Sequence, residues 1–493
     1  MNRTIQSLAL AAALGAVVAC AAGSLQGEPG STVPVDILVV PPSVSGLPAQ
    51  LIRDVPWVDL QDGTFDLSLT RGSEFSAIVA TTGGQPLGNA AVRVTLQGAG
   101  TDKVVFSNAD GLIALPLGSG NYDIEVTPDR ITDPSIPPRT FRDVTIGEGG
   151  GPVSTDLTML PGIKIRGTVI SGGGAAVGWR VSARSQADDA PSTYADTTLA
   201  GFEIFVSSTG SWMVQITPPN GAGQPIAKVP LDVAGETTFG FTYPAFAQHS
   251  LSGTLSPADG ALGIDLSAVA VRARATLVGP DGDNASYSFD QRTFTDSLGA
   301  FSMPVLQGVY TISIEPGLDI AYSHRVLSLV DIQSDTLLPA TQTQLFPTVA
   351  VAGRVSGGNG EPTPDAQVRF LAADGSAYQF SGRTDPDGRY MVQMDVGDYD
   401  VLVLPAPQSG HVRHATSTTV NTGVTDLDYT VDVGHEVHGR VRGPDPEASV
   451  IPNATVLALD PVTAAPIGSA DSVSDAGGEW ALSIPVYPSP TLQ

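Results

Sequence analysis

The sequence predicts an all-β chain, a tandem array of seven-strand, Ig-like β-sandwiches following a signal segment. Three observations predict it. Gly (55) and Pro (39) are scattered as punctuation between short β-branched runs. A Gly-x-Val signature returns at Gly167, Gly253, Gly353 and Gly439, with Ala77-Ile78-Val79 as a variant, at spacings of 90, 86, 100 and 86 residues. A turn signature, Asp/Asn-x-x-Gly, lies at a fixed distance from the next glycine in several units. At 493 residues, 42% hydrophobic and 15% charged, the chain is long enough for several domains and apolar enough to bury their cores.

At the N-terminus, Arg3 precedes an apolar run from Leu8 to Ala19, too short to span a membrane but of the length of a signal h-region. The run ends in Val17-Val18-Ala19-Cys20, which resembles the lipobox of bacterial lipoproteins. That resemblance implies a signal peptide, diacylation of Cys20 after cleavage and attachment to the membrane through this lipid anchor. Ala21 follows where some bacteria place an aspartate as an inner-membrane retention signal, so the same resemblance implies the outer membrane, on its periplasmic or surface-exposed face. Cys20 is the single cysteine, so no intrachain disulfide forms in this oxidising compartment.

Each unit then follows one order. After Gly-x-Val comes an alternating strand such as Ala90-Ala91-Val92-Arg93-Val94, Ala366-Gln367-Val368-Arg369-Phe370 or Ala454-Thr455-Val456-Leu457-Ala458, the period-two pattern of a half-buried strand. Next stands the turn: Asn108-x-x-Gly111, Asp296-x-x-Gly299, Asp385-x-x-Gly388 and Asp475-x-x-Gly478. The Asp or Asn side chain accepts backbone N–H bonds there, and Gly takes the positive φ. Nine residues after the turn glycine a second one opens a strand two residues before an aromatic, as in Gly120-x-Tyr122, Gly210-x-Trp212, Gly308-x-Tyr310 and Gly397-x-Tyr399. Two weaker strands close the unit, giving about seven.

This succession of motifs resembles the carboxypeptidase regulatory-like domain, a transthyretin-like β-sandwich that occurs beside metallocarboxypeptidases and in many bacterial surface proteins. The resemblance spans nearly the whole mature chain. It implies the fold and an extracytoplasmic setting and carries no catalytic residues. The expected boundaries are a signal peptide at 1–19, a lipidated tether at 20–32, a partial sandwich at 33–74, repeats at 75–163, 164–249, 250–349 and 350–436, and an incomplete fifth repeat at 437–493. Each repeat is expected to have its own core. Related Cna-type sandwiches carry Lys–Asn isopeptide bonds, but only Lys164 stands near a first strand here, so a repeat-wide system is excluded.

The two ends are complementary. Val35-Asp36-Ile37-Leu38-Val39-Val40-Pro41 aligns with Tyr399-Asp400-Val401-Leu402-Val403-Leu404-Pro405, and Arg53-Asp54-Val55 echoes Arg142-Asp143-Val144. Residues 35–70 therefore read as the last three strands of a unit whose first strands stand beyond Gly439. The expectation places their pairing head to tail between molecules first, and within one chain second, since a rigid row keeps its ends apart.

The net charge of −26 removes the electrostatic term on which nucleic-acid binding depends, and three lysines give no basic run for an anionic membrane surface. His435-Glu436-Val437-His438 lacks the i, i+4 helical spacing of a zinc helix; residues three apart in a strand face opposite ways. His411 and His414 form a second pair without a third ligand, and His249 and His324 stand alone. Acidic turns at Asp281-Gly282-Asp283-Asn284 and Asp385-Pro386-Asp387-Gly388 lack the ligand spacing of an EF-hand. No nucleophile elbow, P-loop or dinucleotide motif occurs. No catalytic, cofactor or metal residues are assigned and no cofactor is expected; lipid attachment at Cys20 is the one site. Tyr390 and Trp480 share a slot with Phe301 and Ile113 and read as core, whereas Trp57 and Trp179 have no repeat counterpart and are candidates for carbohydrate contact. The expected function is a non-enzymatic envelope lipoprotein serving as stalk, scaffold or adhesion protein, on the order of 150 Å long if its sandwiches stand end to end. The alternative is a carbohydrate- or peptide-binding accessory module of an envelope transport or export system.

Overall fold

A computed structural model of the chain describes residues 34–98, 102–147, 153–188, 190–261, 263–279, 284–317, 322–373, 379–421, 423–444 and 449–485. The first complete sandwich shows the plan. Its strands are β4 (Ser73–Thr81), β5 (Ala91–Leu96), β6 (Asp102–Phe106), β7 (Leu112–Leu117), β8 (Gly120–Thr127), β9 (Arg139–Ile146) and β10 (Val153–Met159), preceded in the chain by β1 (Val35–Val40), β2 (Gln50–Val55) and β3 (Leu67–Ser68). One sheet runs β10-β4-β7 and the other β6-β5-β8-β9. The last strand lies parallel to the first, Val153 opposite Phe75 through Met159 opposite Thr81. Along β4 every second residue, Ser73, Phe75, Ala77 and Val79, is buried, and the inward faces of both sheets meet over Val92, Ile113, Tyr122 and Ile124.

The second, third and fourth sandwiches repeat this order strand for strand. Their first strands, Ile163–Ser171, Gln248–Thr254 and Val349–Gly357, each run parallel to a last strand at Thr237–Thr242, Thr336–Leu337 and Tyr429–Val431. The Gly-x-Val glycine is explained by this packing. A Cβ on Gly167 would stand 1.8 Å from the Phe239 carbonyl oxygen, and one on Gly353 1.9 Å from that of Leu427.

The fifth sandwich is made from both ends of the chain. One sheet runs β3, Gly434–Arg442, Glu479–Pro485; the other runs β2, β1, Thr455–Leu459, Pro466–Val473. Strand β1 pairs antiparallel with Thr455–Leu459, from Asp36 opposite Leu459 to Val40 opposite Thr455, as β8 pairs with β5. Val35, Ile37, Val39, Leu60 and Leu67 share one core with Val437, Val456, Trp480, Leu482 and Ile484. Closure therefore takes place within one chain. The strand edges that pairing between molecules would use are here paired within the chain, the second of the two expected arrangements.

Contacts between neighbours make this closure possible. Leu51 of β2 packs on the core of the first sandwich, and the Arg53 side chain donates to the Gln97 carbonyl at 3.3 Å. The Gly162 N–H donates to the Ser135 carbonyl at 3.0 Å, and the Arg130 guanidinium lies 3.8 Å over the Tyr194 ring, joining the first sandwich to the second. Between the second and third, edge strands Ile226–Val233 and Ser286–Phe294 pair antiparallel, so two four-stranded sheets become one of eight strands. Their cores merge as well, with Tyr243 and Phe246 against Tyr287 at ring distances of 6.3 and 5.2 Å. The expectation of a separate core per repeat fails here: the continuous sheet leaves no solvent layer between the two units. His324 and Asp395 join the third to the fourth, and Arg413 joins the fourth to the fifth. Five sandwiches thus form a closed cycle of contacts, and the end-to-end row with its long reach is not adopted.

Candidate functional site

Cys20 and the acidic residues Asp281 and Asp283 lie outside the described residues. In each of the four acidic or amide turns one side-chain oxygen accepts two backbone N–H groups. Asp385 Oδ1 accepts from the N–H groups of Asp387 and Arg389 at 3.0 and 2.8 Å, Asp475 Oδ1 from Gly477 and Glu479 at 2.7 and 2.9 Å, and Asp296 and Asn108 do the same. The turn glycines have φ near +73° (Gly111, Gly299), +75° (Gly388) and +72° (Gly478).

A residue beside each turn was not singled out from the sequence. Ser107, Thr295, Thr384 and Ser474 immediately precede the turn residue, Thr197 likewise precedes the Thr198–Gly201 turn of the second sandwich, and all five are buried. Each hydroxyl accepts a backbone N–H, from Ala90, Trp179, Val269, Ala366 and Ala454, at 2.8 to 3.0 Å, and donates to the carbonyl three residues before that N–H, of Leu87, Ala176, Leu266, Thr363 and Ile451. The signal was present as an invariant Ser or Thr ahead of the turn. Thr384→Val keeps the shape and leaves the Ala366 N–H and Thr363 carbonyl unpaired, so it is expected to cost about 1–3 kcal/mol, read as a lower urea midpoint that Thr384→Ser restores.

The aromatic strand openers are clasps of a second kind. Tyr122, Tyr310 and Tyr399 donate their hydroxyls, and Trp212 its indole N–H, to the carbonyl four residues earlier, at 3.0, 2.7, 3.0 and 3.1 Å. Burial pushes the Tyr122 and Tyr310 hydroxyls up to about 12, so they remain donors at every physiological pH. In the fifth sandwich Val35 holds that place, without a donor.

The histidines do not converge. The His435 Nε2–H donates to the Leu60 carbonyl, 2.8 Å away, and the ring packs edge-on against Trp57 at 5.1 Å, while His438 is exposed. Among the described residues no three metal-ligating side chains come together. Trp57 is half-buried against the fifth core, and Trp179 is buried on Tyr243 at 4.7 Å, so Trp179 offers no face to a sugar. Both were read as surface candidates because they stand outside the repeat pattern; their neighbours, His435 and Tyr243, come from distant strands. Tyr390 and Trp480 are buried.

Among the described residues a cleft lies between the third and fourth sandwiches. Its volume is about 360 Å³, and Ser323, Arg325 and Phe346 line it from one side, Val396, Asp398 and Tyr399 from the other. Its floor is the joint itself. The His324 N–H donates to Asp395 Oδ2 at 3.2 Å and its Nδ1 meets the same carboxylate, with both side chains nearly sealed from solvent. The Arg325 guanidinium donates to the Gln344 carbonyl at 2.7 Å and lies 5.5 Å from the Phe346 ring. Burial lowers its pKa from the ordinary guanidinium value. A second, shallower groove of about 290 Å³ continues from Asp398 along Ser417, Thr418 and Thr419.

The joint between the fourth and fifth sandwiches is electrostatic. Arg413 donates Nε to the Gly468 carbonyl at 3.0 Å and Nη2 to that of Ser469 at 2.8 Å, and burial pushes its pKa down to about 10, so it stays charged at neutral pH. Asp471 faces Arg413 and Arg369, yet its carboxyl is raised, because desolvation outweighs the pull of both guanidiniums. A carboxyl raised in the folded state contributes stability on the acid side that is lost as pH rises through its folded value. Asp471→Asn is therefore expected to gain stability relative to the parent as pH rises from about 3 to 7, across and just above the ordinary carboxylate range, in urea melts. The opposite slope would mean that ion pairing dominates.

No protein-family profile matches the chain, and no curated protein matches it. Among solved structures it is similar to a streptococcal ancillary pilin, at 14% identity over 55% of this chain and 99% of that one, with a TM-score of 0.24. It is also similar to the minor pilin of Streptococcus agalactiae, at 14% identity over 38% of this chain and 96% of that one, TM-score 0.25. The major pilin subunit of Bacillus cereus is similar at 10% identity over 73% and 99%, TM-score 0.16. With scores this low the shapes of the whole chains differ, and the sandwich assignment rests on sheet topology.

Proposed function

We propose that the protein is a non-enzymatic scaffold of the bacterial cell envelope, a lipoprotein built from carboxypeptidase regulatory-like sandwiches and held at the outer membrane through acylated Cys20. The observation that carries this reading is the closed cycle of five sandwiches, in which each joint has its own hydrogen bonds, ring contacts or shared sheet. Such a body is stiff, and its lipid tether enters it through β1, held between two antiparallel neighbours. Two or three acyl chains on one residue give a stable anchor. The acidic surface keeps the body soluble and opposes self-association. Cys20→Ser is expected to move the protein from the membrane to the soluble fraction and to abolish incorporation of labelled palmitate; unchanged membrane retention would refute the anchor. Protease shaving of intact cells distinguishes the surface-exposed face, where the chain is cut, from the periplasmic face, where it is protected.

A second reading, a ligand-binding accessory module of an envelope transport or export system, is favoured by one feature, the cleft between the third and fourth sandwiches.

A further inference from the structure

We infer that this cleft is a binding site for a neutral saccharide, with a pyranose ring against Phe346 and its hydroxyls on Ser323, Arg325 and Asp398. The inference rests on the reading of the protein as a ligand-binding module and names its ligand class. The cleft's volume falls at the lower end of the range for small-ligand sites, about 300–1,000 Å³. Phe346 is 50% exposed within it, a large aromatic face left to solvent in the connector that leads to the fourth sandwich. The negative face of a phenyl ring suits the C–H groups on one side of a pyranose.

The second observation is independent of the first. Ser323 is only 6% exposed, and its Oγ, buried at the cleft wall, has no hydrogen-bond partner among the described residues. A buried hydroxyl left unpaired is rare and calls for a partner, which a sugar hydroxyl in the cleft supplies. Asp398 accepts from Thr419 Oγ1 at 2.5 Å, and a carboxylate has capacity for further donors. Arg325 brings a half-buried guanidinium whose one described hydrogen bond is to the Gln344 carbonyl. The hydroxyl-bearing Ser417, Thr418 and Thr419 extend the track beyond Asp398 and suit a second sugar unit. The net charge of −26 and Asp398 itself favour neutral over acidic sugars.

The test is saturation-transfer NMR and calorimetry on the full chain carrying Cys20→Ser, with methyl β-glucoside, methyl β-galactoside, cellobiose and diacetylchitobiose as probes and tetra-alanine alongside. At least one of these sugars is expected to bind saturably. Phe346→Ala should weaken it about tenfold or more, Ser323→Ala should weaken it measurably, and Phe294→Ala should leave it unchanged. Phe294 is the matched control, 57% exposed beneath Arg292 at 5.0 Å on the same sandwich but outside the cleft. Unchanged melting of Phe346→Ala separates lost contact from lost fold; should that variant melt early, Ser323→Ala decides. Loss of binding in Phe294→Ala equal to that in Phe346→Ala overturns the inference. Binding of tetra-alanine with no sugar bound overturns it while keeping a ligand-binding module, and binding of none of the probes removes both.

Discussion

Deletion of residues 34–70 is expected to unfold the fifth sandwich while the second, third and fourth remain folded. The segment supplies seven buried apolar side chains to a shared core, Val35, Ile37, Val39, Val55, Leu60, Leu67 and Leu69. At about 1.5–3 kcal/mol for each fully buried side chain, the gross loss is on the order of 10–20 kcal/mol, more than the net stability of an ordinary domain. The strands left behind would expose Trp480, Leu482 and Ile484 on an unpaired sheet face. Hydrogen exchange reads the result directly. Protection should vanish in Gly434–Arg442, Thr455–Leu459 and Glu479–Pro485 and persist in strands such as Gly210–Thr217 and Gly397–Leu404. A synthetic peptide spanning 34–70 should restore protection by strand complementation. Retained protection without the peptide would mean that the C-terminal strands fold without their N-terminal partners.

Gly439→Val is expected to produce the same regional loss from the other side of the joint. A Cβ at Gly439 would stand 2.0 Å from the Phe65 carbonyl oxygen, and neither strand has room to withdraw without breaking the parallel pairing of Leu67 with Val441. The expected cost exceeds about 4 kcal/mol, the range reserved for steric or unpaired-polar damage in a core. Gly353→Val is the internal control: its clash is with Leu427, so it should unfold the fourth sandwich and spare the closure. The closed and open forms of the chain differ sharply here. In an open chain Gly439 has no Phe65 to meet, and valine there would be a mild strand substitution.

Much of this architecture was legible because its determinants are local and repeated. The Asp-x-x-Gly turns declare themselves by residue chemistry, and the aromatic nine-plus-two residues on is a clasp to the fourth preceding carbonyl, set by backbone spacing alone. The complementarity of the end fragments was legible for the same reason. Whether they meet within one chain was not, because that depends on joint angles. Those are set by pairs such as His324 with Asp395, by Leu51 on the first core and by the edge pairing of Ile226 with Ser288, none of which recurs between units. The cleft was hidden for a similar reason. Phe346 stands in a connector outside the repeat register, and the cleft that it lines with Ser323 exists only where the third and fourth sandwiches meet. Trp179 misled in the opposite sense, since lacking a repeat counterpart made it look superficial when it is buried against Tyr243.

The central claim is that the two ends of one chain build one sandwich, and a cross-link tests it most directly. Val39 and Val456 are paired residues on β1 and the strand Thr455–Leu459. With Cys20→Ser removing the single native cysteine, a Val39→Cys, Val456→Cys chain is oxidised at low concentration and run unreduced on a denaturing gel. Closure within the chain predicts a monomer of shifted mobility, reversed by reductant and independent of protein concentration. Cross-linked dimers and higher ladders that grow with concentration, or no cross-link at all, would contradict it.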